Sequence, residues 1–281
     1  MLLNFALVAI LSIGPVGLPA EMPRFSPETT RLSHFTDLKT STAPSTLPAV
    51  TPAMTPTPKP SALAPKANLG VFASVAISAA KLPSAATWRD ARTTDYTSLF
   101  SEDCAASGLA GCDTSFSEKI RGLSARTAGL SDRTMLDMVN RTVNAAMTYR
   151  SDAAIWGKSD YWASPVEMAM KGAGDCEDFA IAKYWALRGL GLADDQLQMV
   201  VLQDTRRQLF HAVLVVHTAS GAYVLDNVTN NLRLDTAYAQ YQPIMSFAGD
   251  KSYIHGFAAG TTALAAMPKD LASVTPGASA Q

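Results

Sequence analysis

The sequence predicts an α+β fold, in which helices come first along the chain and an antiparallel sheet follows. Two amphipathic helical patterns cover residues 131–149 and 175–190. Three short runs rich in β-branched and apolar residues come after them, at residues 198–202, 210–217 and 222–225. Helices that are segregated from strands in this way are typical of an α+β domain.

The first long helix is predicted from its cap and from its apolar spacing. Ser131 precedes the pattern and is a favourable N-cap residue. Apolar side chains then recur at steps of three and four residues, which places them on one helix face: Met135, Met138, Val139, Val143 and Ala146. A loop rich in aromatic residues follows at residues 156–162, and Pro165 heads a short helix over residues 166–170.

The second long helix begins after a glycine turn and carries a cysteine in its first turn. The run from Gly172 to Ala180 is Gly-Ala-Gly-Asp-Cys-Glu-Asp-Phe-Ala, and Gly191 is well placed to end the helix. A helix N-terminus carries partial positive charge and unpaired N–H groups, which lower a thiol pKa and can stabilise an oxyanion. Cys176 is therefore a candidate nucleophile.

The acidic residues beside this cysteine allow a simpler interpretation. Asp175, Glu177 and Asp178 are suited to capping the helix and to complementing its dipole. A lone cysteine at such a position is also more often an inert buried thiol than a nucleophile. The motif alone does not decide between these interpretations.

The strand runs supply a base for the cysteine. Residues 218–221 are typical of a tight hairpin connection, and residues 244–247 and 251–255 are predicted as further short strands. With this connection, antiparallel pairing makes His211 a diagonal neighbour of Asp226, within reach of a side-chain contact. His217 lies on the same face but roughly 20 Å further along the strand, at about 3.3 Å per residue. Cys176, His211 and Asp226 therefore form the predicted triad of nucleophile, base and orienting acid.

Composition divides the 281 residues into four segments. Residues 1–20 are typical of a signal peptide, although the absence of a preceding Lys or Arg leaves an uncleaved anchor open. Residues 21–82 are rich in Pro, Ser, Thr and Ala and are predicted to form a disordered linker, because they have too few apolar residues to offset ordering entropy. The folded domain is expected at residues 83–257, followed by a flexible tail at residues 258–281.

Charge and cysteine content narrow the functional classes. The formal net charge of −1 gives no reason to expect a nucleic acid partner. In an exported protein, Cys104 and Cys112 are suited to a short-loop disulfide, which would leave Cys176 free. A metal site at these two cysteines is the alternative, but no further Cys or His lies nearby to complete it.

A longer set of motifs resembles a known protein family. The matching region extends from about Val139 to Gly256. Its motifs are Tyr149-Arg150-Ser151-Asp152, Trp156-Gly157, Asp160-Tyr161-Trp162-Ala163-Ser164-Pro165, Gly174-Asp175-Cys176-Glu177-Asp178-Phe179-Ala180-Ile181-Ala182-Lys183-Tyr184, His211-Ala212-Val213-Leu214 and Val224-Leu225-Asp226-Asn227. These motifs resemble the bacterial transglutaminase-like cysteine proteinases, which include periplasmic adhesin proteases. The linker and the Cys104 region lie outside the resemblance.

The resemblance implies a fold, an activity and a metal. It implies a papain/transglutaminase-like cysteine protease core, with Cys176, His211 and Asp226 as the catalytic triad. It also implies Ca²⁺ bound beside the nucleophile by Asp175 and Glu177, with Asp178 as a further ligand. Hard carboxylate oxygens suit this ion.

The resemblance further implies a biological setting. The expected protein is a periplasmic, calcium-dependent cysteine endopeptidase that cleaves the N-terminal region of a large cell-surface adhesin and so regulates biofilm attachment. An inner-membrane receptor that senses cyclic di-GMP is the expected regulatory partner. The long linker leaves room for a membrane-tethered form or for another substrate.

Two alternatives from other functional classes stay open at this point. The same triad and thioester intermediate also serve a protein transglutaminase, which transfers the acyl group to an amine instead of water. A non-catalytic domain that binds a partner through the aromatic loop at residues 156–162 is the other alternative. Retention of the full biological effect by a Cys176→Ala variant would favour it.

Overall fold

A computed structural model describes residues 69–258, Pro268 and residues 270–280. The α-helices of this part of the chain are α1 (Ala85–Asp90), α2 (Ser115–Ile120), α3 (Leu123–Thr127), α4 (Asp132–Ala146), α5 (Asp152–Ile155), α6 (Pro165–Lys171) and α7 (Cys176–Gly189). The predicted signal peptide and most of the predicted linker lie outside the described residues.

The strands form an antiparallel sheet and one small parallel pair. They are β1 (Val75–Ser78), β2 (Thr148–Tyr149), β3 (Ala173–Gly174), β4 (Leu197–Asp204), β5 (Leu209–Thr218), β6 (Gly221–Leu225), β7 (Arg233–Leu234), β8 (Tyr241–Ala248) and β9 (Lys251–Gly256). Within the described residues, seven strands join in the order β1-β9-β8-β4-β5-β6-β7, and each neighbouring pair is antiparallel. The short strands β2 and β3 pair in parallel.

Each face of the sheet buries its own apolar cluster, because side chains alternate between the two faces of a strand. On one face, Ala212, Leu214 and Val216 of β5 belong to the main core that also contains α4 and α7. On the other face, Val213 and Val215 pack in a smaller cluster with residues such as Phe72, Tyr238 and Tyr241. The sheet is therefore covered by helices on one side and by connecting segments on the other.

The predicted order of helices followed by strands is confirmed. Helix α4 begins after Ser131, whose hydroxyl accepts a hydrogen bond from the Thr134 N–H at 3.3 Å. It ends three residues earlier than predicted, because Thr148 and Tyr149 form β2 instead of continuing the helix. The β5–β6 hairpin has the predicted register, with Thr218 opposite Gly221.

The structure differs from the predicted domain boundaries at both ends. Strand β1 lies in the predicted linker and pairs with β9, while Val71 and Phe72 are buried on the sheet. Part of the predicted flexible tail, residues 270–280, is also packed against the domain. Composition missed both segments because a few buried side chains and backbone hydrogen bonds hold them, and neither produces a periodic pattern.

A disulfide joins Cys104 to Cys112, as the sequence predicts for an exported protein. Cys176 is the free cysteine and is buried. Among the described residues, no helix has the length and apolar content needed to span a bilayer.

Candidate active site

A tight backbone approach sets the start of α7. A Cβ added at Gly174 would lie 2.6 Å from atoms of the Asp178 side chain, so this position has no room for a larger residue. The Asp178 carboxylate accepts hydrogen bonds from the N–H groups of Asp175 at 3.2 Å and Ala163 at 2.8 Å. Asp178 thus caps α7 and also ties it to the loop that precedes α6.

The thiol of Cys176 lies in the first turn of α7 and is only 1% exposed. It donates a hydrogen bond to Oε2 of Glu177 at 3.2 Å. Burial and the charge of Asp175 raise the pKa of the thiol to about 12. The hydrogen bond to the Glu177 side chain lowers the thiol pKa, as do hydrogen bonds from the N–H groups of Ala212 and Glu177.

The hairpin brings His211 and Asp226 into direct contact. Leu214 lies opposite Leu225, so continuation of this register places Val213 opposite Asp226 and makes His211 its diagonal neighbour. The His211 Nε2 and Asp226 Oδ1 atoms are 2.9 Å apart, and both side chains are buried.

Asp226 is held as a carboxylate by several donors. Its Oδ2 accepts from the Tyr241 hydroxyl at 2.6 Å, and its Oδ1 also accepts from the Val228 N–H at 3.0 Å. Burial opposes ionisation of Asp226, but the hydrogen bond and charge of His211, with these donors, hold its pKa well below the usual range. Since Asp226 is ionised, Nε2 of His211 is the donor, which leaves Nδ1 free for proton transfer.

Cys176 lies beside this pair because β6 ends before it reaches the position opposite Ala212. In the hairpin, Thr218 and Gly221 close the two-residue turn, and alternate residues of β5 point their N–H groups toward β6. Ala212 belongs to this set, but its partner position lies beyond the end of β6 at Leu225. The Ala212 N–H faces the Cys176 sulfur instead. The thiol therefore lies next to β5 at the residue that follows His211.

A cluster of carboxyl groups surrounds the N-terminus of α7. Asp175, Glu177 and the thiol of Cys176 have atoms within 4.8 Å of one another, and so do Asp152, Asp160 and Glu177. Asp152 also forms such a group with Asp175 and Asp178. The parallel pair of β2 and β3 brings α5, which contains Asp152, next to the start of α7.

Three buried oxygen atoms of this cluster have no hydrogen-bond partner: Oδ1 of Asp152, Oδ1 of Asp175 and Oε1 of Glu177. Burial and the charges of Asp175 and Asp160 raise the pKa of Asp152 to about 7. Burial likewise raises the pKa of Glu177 and of Asp178 well above the usual range. Unpartnered carboxylate oxygens that converge in this way fit a hard cation such as Ca²⁺.

Comparison with known proteins assigns the family. Residues 101–252, just over half of the chain, match the family described as bacterial transglutaminase-like cysteine proteinase BTLCP. The chain belongs to this family. The bacterial transglutaminase-like cysteine proteinases are cysteine peptidases, so the resemblance predicted from the sequence motifs is confirmed at the level of family and fold.

Solved structures similar to this cysteine proteinase include two forms of LapG from Legionella pneumophila. The EGTA-treated form is 28% identical, with a TM-score of 0.44, over 50% of this chain and 77% of the other. The calcium-bound form is 26% identical, with a TM-score of 0.45, over 53% of this chain and 87% of the other. No curated protein matches the chain.

Sequence reasoning missed three residues of this candidate site. Asp152 and Asp160 join the predicted acidic residues Asp175, Glu177 and Asp178. Tyr241, the first residue of β8, donates to Asp226. The two aspartates lie within motifs that carry the family resemblance, which was a usable signal. Tyr241 lies outside those motifs, and its sequence neighbourhood contains no comparable signal.

Proposed function

We propose that the protein is an exported, calcium-dependent cysteine endopeptidase with Cys176, His211 and Asp226 as its catalytic triad. The observation that carries this proposal is the 2.9 Å contact between His211 and Asp226 beside a cysteine at a helix N-terminus. This arrangement provides a nucleophile, a base and a group that orients the base.

The proposed chemistry follows from the environment of each group. Cys176 attacks the scissile carbonyl as a thiolate, and its own N–H and the α7 dipole stabilise the oxyanion that forms. His211 takes up the thiol proton at Nδ1 and then donates it to the leaving amine. Asp226 fixes the imidazole through Nε2 and stabilises the imidazolium. Water then releases the acyl group, which distinguishes hydrolysis from transfer to an amine.

Asp152, Asp175 and Glu177 are the proposed calcium ligands, with Asp160 and Asp178 completing the acidic surroundings. Each of the first three has a buried carboxylate oxygen without a partner. Bound Ca²⁺ would neutralise the carboxylates whose charge opposes ionisation of Cys176. In its absence, burial and the charge of Asp175 favour the inactive, protonated form of Cys176.

The proposed substrate is the N-terminal region of a large cell-surface adhesin, and the proposed location is the periplasm. Family resemblance supports both proposals, as it supports an inner-membrane receptor that senses cyclic di-GMP as the partner. The disulfide between Cys104 and Cys112 agrees with export, because such bonds persist in oxidising compartments.

The deciding experiment incubates the purified protein with the N-terminal region of the adhesin encoded in the same genome, with calcium and with chelator. We expect cleavage only with calcium and only by protein that retains Cys176. A Cys176→Ala variant that still cleaves would refute the mechanism. Intact adhesin after incubation with the wild type and calcium would refute the proposed substrate. Adding a primary amine and finding its conjugate instead of hydrolysis would indicate a transglutaminase.

A further inference from the structure

The C-terminal segment of the chain lies on β5 next to the proposed nucleophile. The Gly277 N–H donates to the Phe210 carbonyl oxygen at 2.9 Å, and the Phe210 N–H donates to Ala278 at 2.8 Å. The Ala280 N–H donates to the carbonyl oxygen of Gln208 at 3.1 Å, and Leu209 forms an antiparallel bridge with Ser279. Residues 277–280 therefore act as a short strand on the edge of β5 that β6 does not reach.

This strand begins at the active site. A Cβ added at Gly277 would lie 3.6 Å from both Asp175 Oδ2 and the Tyr149 hydroxyl, so the backbone passes directly beside the residue that precedes Cys176. Phe210, which it pairs with, precedes His211. The segment thus covers the edge of β5 between the residue that precedes Cys176 and the residue that precedes His211.

Side-chain burial and a turn hold the segment in place. Val274 is 4% exposed and belongs to the main core, and Pro276 is also buried. The Ala278 N–H donates to the Thr275 carbonyl oxygen, and Gly277 has a φ of 80°. Proline followed by glycine with positive φ is the arrangement of a type II turn. This turn lies beside Asp175 and bends the chain just before the residues that pair with β5.

We propose that this edge of β5 is the docking surface for the polypeptide substrate and that residues 276–280 of the chain occupy it as an intramolecular competitor. The proposal rests on the proposed peptidase function. Main-chain pairing with an exposed strand edge is a general mode of peptide binding, and the edge here offers the Phe210 N–H and carbonyl groups to any extended chain. A substrate and the tail cannot pair with Phe210 at the same time. Release of the tail is therefore a step in substrate binding.

Alkylation of Cys176 by iodoacetamide tests the proposal without requiring proteolysis. The chain has three cysteines, and two form a disulfide, so the reagent reports on Cys176 alone. Gly277→Pro removes the N–H that pairs with Phe210 and excludes the positive φ, but it keeps the Val274 anchor. We expect it to raise the alkylation rate about tenfold, since loss of one or two net hydrogen bonds corresponds to roughly that factor.

A matched control and a second measurement complete the test. Ser273→Ala changes an exposed residue of the same segment outside the strand, and it should alkylate at the wild-type rate. In a protein truncated before residue 270, alkylation should be fast, and a synthetic peptide of residues 274–281 should slow it. The same peptide with proline at the position of Gly277 should have no effect.

The outcomes separate the inference from the proposed function. Equal alkylation rates in the wild type, Gly277→Pro and the truncated protein would overturn the inference, whether or not the protein cleaves an adhesin. Cleavage that is faster for Gly277→Pro than for the wild type would support it directly. If no form cleaves any protein, the peptidase proposal fails, and the peptide's effect on alkylation still decides whether the tail occupies this edge.

Discussion

At the scale of single residues, the thiol of Cys176 is held between opposing influences. Burial and the charge of Asp175 keep it protonated, while the Glu177 side chain and the N–H groups of Ala212 and Glu177 favour the thiolate. The acidic cluster beside it has three unpartnered oxygen atoms. Under the proposed function, these residues would keep the cysteine silent without a cation and make it reactive when a cation is bound.

Removing one acidic ligand should weaken the response to calcium. We expect saturating Ca²⁺ to raise the melting temperature of the wild type, because ligand at a hundred times its Kd stabilises by about 2.7 kcal/mol. Asp152→Asn and Glu177→Gln should each lose most of this shift, measured by scanning calorimetry with calcium and with chelator. Asp137→Asn, which only breaks an exposed ion pair with Arg141, is the control. A wild type that calcium does not stabilise would contradict the proposed site.

The two histidines of β5 should differ sharply in function. His211→Gln removes the proposed base and should lower kcat/KM by at least about 10³-fold, as removal of a triad member does. His217→Gln should leave the rate nearly unchanged, because His217 contacts Gln198 at 2.7 Å and lies at the far end of the strand. Steady-state cleavage by both variants measures this. Comparable losses in the two would refute the choice of His211.

At the scale of elements, α7 contains a buried lysine that the proposed mechanism does not use. Lys183 is 0% exposed, and its Nζ has no hydrogen-bond partner. Burial lowers its pKa to about 7, although the charge of Asp226 opposes this change. The centroid of the Phe179 ring lies 5.7 Å from Nζ. Lys183 thus reduces the stability of the folded protein at any pH at which its buried amine is protonated.

The lowered pKa of Lys183 makes the stability of the folded protein increase with pH. Because the folded pKa is depressed, the associated stability is fully present above the unfolded pKa near 10.4 and is lost as the pH falls to about 7. Between pH 7 and pH 9 the wild type should gain about 2 kcal/mol more stability than Lys183→Met does. Urea unfolding at the two pH values measures the difference, with exposed Lys251→Met as the control. Parallel pH profiles for the wild type and Lys183→Met would contradict the expectation.

The disulfide should stabilise the region before α2 without taking part in catalysis. Closing a loop with a sequence separation of eight residues contributes about 2.5 kcal/mol in the chain-entropy account. We expect the double variant Cys104→Ala with Cys112→Ala to lose stability of this order in urea unfolding. Its kcat/KM at a temperature well below unfolding should match the wild type. A large loss of activity with native stability would instead link this loop to the active site.

At the scale of the whole molecule, local patterns predicted the elements and distant contacts completed the site. The apolar spacing of α4 and the alternation in β5 and β6 are encoded within a few residues, so both were predicted from the sequence. The pairing of His211 with Asp226 followed, because a two-residue turn fixes the register of a hairpin. The convergence of Asp152 with Glu177 depends instead on how β2 pairs with β3.

The sequence by itself determined the α+β order, the cysteine at the start of α7 and the pairing of His211 with Asp226, because helix caps, strand alternation and tight turns are local. Only the tertiary structure added Asp152 and Asp160 to the carboxylates around Cys176 and decided what covers the edge of β5. The acidic cluster Asp152, Asp160, Asp175, Glu177 and Asp178 and the strand at residues 277–280 both join segments far apart in the chain. Such contacts depend on the path of the folded backbone, which no local periodicity encodes.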